Sequence, residues 1–305
     1  MSLLVVGSIA LDTVKTPVEE HADLLGGSAS YAALGASFFT AVNLVGIVGH
    51  DFPESEFEFW KSHRIDTSGV QRANGKTFRW SGQYAWDLNT RETRSVALNV
   101  FETFLPALPL NYCTTPFVLL ANIAPKLQSH VLDQMEHPRF IVADTMDLWI
   151  ETTRRDLDAL LPRVDLLILN DSEAREMTNE TSLIRAGRKI RSYGPCYVAI
   201  KKGEHGALLF AEDEFFSAGA YPLEDIHDPT GAGDTFAGGL AGYLAAHCKG
   251  NVSFEILRKA MIYGSVMASF CVEAFSLERL RDLTEDEIAE RYRMFKMMSQ
   301  FEVLS

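Results

Sequence analysis

Apolar positions fall into two patterns that alternate along the chain. Nearly uninterrupted apolar runs at 3–6, 42–48, 117–120, 140–143, 166–169 and 197–200 have the length of strands without the alternation of a half-exposed one. They predict strands buried on both faces of a parallel sheet. Between them, 28–39, 126–135, 154–161 and 182–193 carry apolar residues at helical spacing. Strand then helix, repeated, predicts an α/β architecture: an open, mostly parallel sheet flanked by helices. The last third reads as mostly helical. No internal repeat, low-complexity tract or flexible linker interrupts the pattern, so residues 1–305 read as one domain.

One segment departs from this. From 77 to 100, Phe78, Trp80, Tyr84 and Trp86 fall at strand spacing with Thr77, Arg79, Ser81 and Gln83 between them. Asp87-Leu88-Asn89-Thr90 supplies turn chemistry, so a projecting β-hairpin is predicted. Its aromatic face either packs on the body or on another subunit, or forms a lid over a substrate cleft.

Charge and composition narrow the function classes. Lys and Arg number 28 against 41 Asp and Glu, a net charge of -13, with no basic concentration. The electrostatic footprint of a nucleic-acid binder is missing. Four scattered cysteines without a C-x-x-C pair argue against a zinc knuckle or disulfide framework and fit a reducing compartment. No run of about 18 apolar residues suggests a membrane span, and the apolar start is too short for a signal peptide. A cytoplasmic protein is the expectation. Zinc-hydrolase H-x-x-x-H spacing, a G-x-S-x-G elbow and a Walker P-loop are all missing from the sequence.

The chemistry concentrates near residue 230. Asp228-Pro229-Thr230-Gly231-Ala232-Gly233-Asp234-Thr235-Phe236 leads into a small-residue run. A helix starting near Ala232 presents free N–H groups of Gly231, Ala232 and Gly233 and the positive end of its dipole, which together bind anions. Asp234 then lies in the first turn, a carboxylate beside an anion cradle. Phosphoryl transfer needs that pairing: a site for the moving phosphoryl and one base for the attacking hydroxyl. The plainer alternative is a tight turn with Asp234 as a helix cap.

The stretch 228–236 resembles the C-terminal signature, D-T-x-G-A-G-D-x-F, of the ribokinase-like (PfkB) kinases, with Pro229 in place of the usual Thr. The resemblance implies a ribokinase-like fold with a small β lid, ATP as phosphoryl donor, an anion hole at Gly231, Ala232 and Gly233, and Asp234 as catalytic base. It extends over nearly the whole chain. Asp12, in Gly7-Ser8-Ile9-Ala10-Leu11-Asp12, resembles the family's sugar-binding Asp, though it also reads as a turn residue. Gly26-Gly27 resembles the N-terminal di-glycine signature that approaches the substrate. Tyr31 stands where the family usually has Asn, which weakens ribose or fructose as substrate and offers a ring for stacking.

Asn170 and Glu173 resemble the family's N-x-x-E motif, implying that Asn170 serves the nucleotide and that Glu173 organises Mg²⁺ through water. Asp171 or Ser172 is also a routine N-cap for the helix that follows. Lys202, Gly203 and Gly206, after the run 197–200, resemble the nucleotide loop, with Lys202 reading equally as a solvated lysine. On 254–275, Ala260, Gly264, Ser265 and Ala268 share one side, forming an adenine-pocket wall or a close helix contact. Asp144 matches the Asp of the family's D-P-N segment, but Thr145 and Met146 replace Pro and Asn, and no role is carried over. The family also implies a monovalent-cation site beside Asp228 and a homodimer through the lid.

The expectation is therefore an ATP-dependent kinase phosphorylating a sugar hydroxyl, with a nucleoside kinase as the rival. A binding protein without catalysis would be expected to lose Asp234. A dinucleotide oxidoreductase would need G-x-G-x-x-G after an early strand, which the Gly7 region does not supply.

Overall fold

The computed structural model describes residues 1–300. Its strands are β1 (Leu3–Val6), β2 (Ala10–Lys15), β3 (Glu20–Gly26), β4 (Val42–Val48), β5 (Ile65–Arg72), β6 (Phe78–Tyr84), β7 (Arg91–Ala97), β8 (Phe117–Leu120), β9 (Phe140–Asp144), β10 (Leu166–Asn170), β11 (Tyr197–Lys201), β12 (Ala207–Phe210) and β13 (Phe215–Ala218). Nine of them form one sheet in the order β13-β12-β11-β10-β9-β8-β1-β4-β5. The six apolar runs are its contiguous centre, β11 through β4, paired in parallel.

Within those runs a hidden period of two decides which face each residue serves. Leu3, Val5, Leu119, Ile168 and Ala199 join one core with the helices Ser28–Ser37, Ala232–His247 and Phe254–Cys271. Leu4, Val6, Leu120, Leu169 and Ile200 join the other, under the helices Arg154–Leu160, Asp171–Thr178 and Leu183–Arg191. Both faces being covered, neither could be polar, and the alternation vanishes from the sequence. Among the described residues no helix is long and apolar enough to cross a membrane.

The hairpin is present as β6 and β7, but it is half of a second sheet, ordered β3-β2-β6-β7. Asp12, which also read as a turn residue, lies instead in β2, which begins at Ala10 and pairs parallel with β6, placing Asp12 opposite Trp80. The hairpin aromatics do not form one continuous face. Phe78 stacks on Phe101 at 5.3 Å, Tyr84 is buried, and Trp86 lies past the strand, 90 % exposed. The small sheet covers a cavity on the main one, and its outer strand β7 is exposed at every residue.

Candidate active site

The loop before the helix Ala232–His247 is shaped by Asp228. Its carboxylate is wholly buried, with Oδ1 accepting the Thr230 N–H at 2.8 Å and Oδ2 the Ser276 N–H at 3.2 Å. Those two bonds pin the chain ahead of Gly231, which caps the helix at φ +75°, a conformation that costs most residues strain. A Cβ at Gly231 would come within 2.3 Å of the Tyr31 ring. Tyr31, 2 % exposed, is therefore the floor beneath the loop, and the ring read as a stacking partner has one face occupied. Ala232 is not a free donor as expected, because its N–H reaches the Pro229 carbonyl at 3.3 Å. The N–H groups of Gly231 and Gly233 have no acceptor among the described residues.

Two cavities meet at this loop. One, about 430 Å³, is lined by Ala232 and Gly233 together with Lys201, Gly203, Gly206 and, from the long helix Phe254–Cys271, Ser265 and Ala268. The other, about 490 Å³, is lined by Gly231 and Asp234 together with Asp12, Gly27, Tyr31 and aromatic residues of the small sheet. The Gly231–Asp234 segment is thus the wall shared by the two cavities, with the Gly231 and Gly233 N–H groups in that wall. The hairpin spans both: Tyr84 accepts the Thr230 hydroxyl at 3.1 Å, and Asn89 in the turn donates to Glu204 at 3.3 Å.

Several residues singled out by sequence line neither cavity. Gly26 makes room for another: a Cβ there would lie 1.9 Å from Asp12 Oδ2. Gly264 is a helix contact rather than a pocket wall, since a Cβ on it would meet the Phe236 carbonyl at 2.7 Å. Lys202 lies outside the cavity that its neighbour Lys201 lines. Asn170, not Asp171 or Ser172, caps the helix Asp171–Thr178. Its Oδ1 accepts the Glu173 N–H at 2.8 Å while Glu173 Oε2 accepts the Asn170 N–H at 2.6 Å, a closed capping box.

Buried carboxylates dominate the electrostatics. Burial raises Asp12 to about 7, against the pull of the Gly27 N–H, and its Oδ1 has no partner among the described residues. Burial and then the nearby Asp144 raise Asp234 to about 7, with Lys201 and Arg91 pulling the other way. Glu173 is raised to about 7, chiefly by burial. Burial works against the charge on Lys201, but Asp144, Glu173 and Asp234 outweigh it and raise its pKa. Lys201 Nζ lies 3.3 Å from both oxygens of Asp144. Glu173 has Lys201, Asp144 and Asp147 as its charged neighbours, and its carboxylate is the oxygen type of ligand that Mg²⁺ prefers. Because no cluster of three metal-ligating side chains exists among the described residues, a magnesium ion would take most ligands from water and phosphate.

Sequence reasoning missed Lys201 and Trp149, named Asp144 without giving it a role, and read Trp80 only as part of the hairpin's aromatic face. Trp80 lies across Gly82, donates Nε1–H to Thr93 at 3.2 Å and carries Arg91 over its ring at 5.3 Å. Trp149 donates Nε1–H to Asn122 at 2.7 Å. Strand parity was the available signal for Lys201. Ala199 faces the core that holds the helix Ala232–His247, so Lys201 shares its side and Lys202 does not.

Comparison with known proteins bears on the family and the fold. Residues 5–280 match the model of the pfkB family carbohydrate kinases. The chain is 32% identical over 266 residues to a cytidine kinase of Thermococcus kodakarensis, covering 85% of this chain and 92% of that protein. In fold it is similar to the nucleoside kinase of Methanocaldococcus jannaschii (TM-score 0.75, 20% identity, 96% of this chain and 98% of that one). It is also similar in fold to a putative ribokinase II of E. coli in complex with ATP and Mg²⁺ (TM-score 0.75, 15% identity, 97% and 99%).

Proposed function

The chain belongs to the pfkB family of carbohydrate kinases, and from that premise we propose that it transfers the γ-phosphoryl group of ATP to a hydroxyl of a nucleoside. A phosphotransferase acting on a sugar or a nucleoside follows from the family; the nucleoside is the finer reading. The observation that carries it is the composition of the 490 Å³ cavity, where Asp12 lines the same space as Phe78, Trp80, Phe101 and Trp149. Asp12 accepts a ribose hydroxyl, and the tryptophans, each held by its own indole hydrogen bond, flank a planar base. A simple pentose would leave that aromatic wall uncovered. A sugar phosphate would bring its dianion towards Asp147 and Glu151, with Arg91 alone among the lining residues as a cation. The cytidine kinase relative points the same way.

In the reaction, ATP occupies the 430 Å³ cavity with its terminal phosphate against the Gly231 and Gly233 N–H groups. Asp234 takes the proton of the attacking hydroxyl from the opposite side of the wall. Magnesium bound with ATP, and held through water by Glu173, would neutralise phosphate charge. Asn170 acts by fixing Glu173 through the capping box. Gly203 and Gly206 border the nucleotide, and a monovalent cation beside Asp228 would steady the loop. A homodimer would form through the exposed β7.

The test is ADP release with Mg-ATP against nucleosides, pentoses, hexoses and sugar phosphates, with products identified by mass spectrometry. Turnover of nucleosides over free sugars is expected. Turnover of a hexose or a sugar phosphate with nucleosides silent would overturn the substrate class.

A further inference from the structure

We propose that Lys201 is a catalytic residue, held by Asp144 so that its third ammonium proton meets the transferring phosphoryl group beside the Gly233 N–H. The proposal rests on the kinase reading above and adds a cation to the anion cradle. Lys201 is the last residue of β11 and Asp144 the last of β9, at the same end of two strands separated only by β10. Nζ lies 3.3 Å from each Asp144 oxygen, so two of its three donors are spent on one carboxylate. The remaining donor has its direction fixed. A Cβ built on Gly233 would stand 3.0 Å from Nζ, so the ammonium lies over the cradle glycine, on the side of the nucleotide cavity.

Burial makes a purely structural ion pair poor value here. The side chains are 18% and 5% exposed, and a buried pair rarely stabilises a fold more than apolar packing in the same space. Placed where charge develops during the reaction, the same pair is useful, because a preorganised cation costs no reorganisation at the moment of transfer. The acceptor oxygen forms its bond to the γ-phosphorus as the bond to the β-bridging oxygen breaks. The electron pair leaves on ADP, the hydroxyl proton goes to Asp234, and Lys201 keeps its proton throughout. Asp144, which touches no reactant, is a positioning residue.

The decisive experiment compares wild type, Lys201→Met and the double variant Lys201→Met/Asp144→Asn, which removes both charges of the ion pair. Calorimetric titration with ADP and with a non-hydrolysable ATP analogue needs no acceptor, so it remains informative even if the nucleoside reading fails. Lys201→Met is expected to weaken the analogue roughly 10- to 50-fold while leaving ADP within about two-fold. It should lower kcat roughly 10²- to 10³-fold with acceptor KM unchanged, and the double variant should regain thermal stability but not kcat. An unchanged ratio of analogue to ADP affinity, or recovery of kcat in the double variant, overturns the proposal. Either would reduce Lys201 to a counter-ion for Asp144.

Discussion

Replacing Asp234 by Asn should stabilise the protein while disabling it, by an amount that depends on pH. The Asp234 carboxyl moves from 3.8 in the unfolded chain to about 7 in the fold. The folded state therefore keeps this proton to higher pH than the unfolded state does. Below about pH 4 both states are protonated and the site costs nothing. Between about 4 and 7 the unfolded chain ionises while the folded one does not, and stability falls; above 7 the loss is complete. The separation is about three pH units at about 1.4 kcal/mol each, so the full cost is about 4 kcal/mol. Asparagine cannot ionise and removes it. At pH 5.5 the relief is about 2 kcal/mol, and at pH 8.5 about twice that. At about 2 °C per kcal/mol for a chain of this size, the variant should melt roughly 4 °C above wild type at pH 5.5 and roughly 8 °C above it at pH 8.5. Thermal melts followed by circular dichroism at both pH values measure the gap. A variant no more stable than wild type at pH 8.5, or a gap that narrows as pH rises, would refute the reasoning.

Three further outcomes follow from the site. Because Asp234 stands near 7 and must be ionised to take the hydroxyl proton, and Asp12, also near 7, holds a hydroxyl more strongly as a carboxylate, kcat/KM should climb as pH rises through about 7; initial rates that are flat from pH 5.5 to 8 contradict this. Gly231→Ala forces a Cβ to 2.3 Å from the Tyr31 ring at φ +75°, so melting should show a loss on the order of 1–3 kcal/mol together with lost turnover; wild-type stability would mean the loop and ring relax. Trp80→Ala should raise nucleoside KM roughly 10-fold with kcat within a few-fold, the signature of lost stacking; an unchanged KM removes Trp80 from the binding surface.

The centre of the main sheet was legible because parallel strands covered on both faces are written as apolar runs, and all six such runs became adjacent strands. Its edges were not. β5 carries Asp66, Thr67, Ser68 and Gln71, and its face towards solvent dilutes any apolar signal. β2 and β3 were missed for a different reason: they pair as a local hairpin, but β3 opens with Glu20, His21 and Asp23 and is mostly exposed over its first half, so its apolar signal is weak. At the site, the helix start at Ala232 with Asp234 in its first turn could be read because a helix terminus depends on local backbone and residue type. The Lys201–Asp144 pair could not, since it joins residues 57 apart through sheet order. Gly264 stayed open between a pocket wall and a helix contact because a small residue on a helix looks the same whether it faces a ligand or, as here, the backbone of another helix.

The most direct test of Asp234 as the base is the turnover of Asp234→Asn with Mg-ATP and the best nucleoside acceptor. The expected result is a fall in kcat of roughly 10² to 10⁴ with ATP affinity nearly unchanged, as for the loss of a general base from an intact phosphate cradle. Near wild-type kcat in a folded, ATP-binding variant would contradict the account and place the proton acceptor elsewhere.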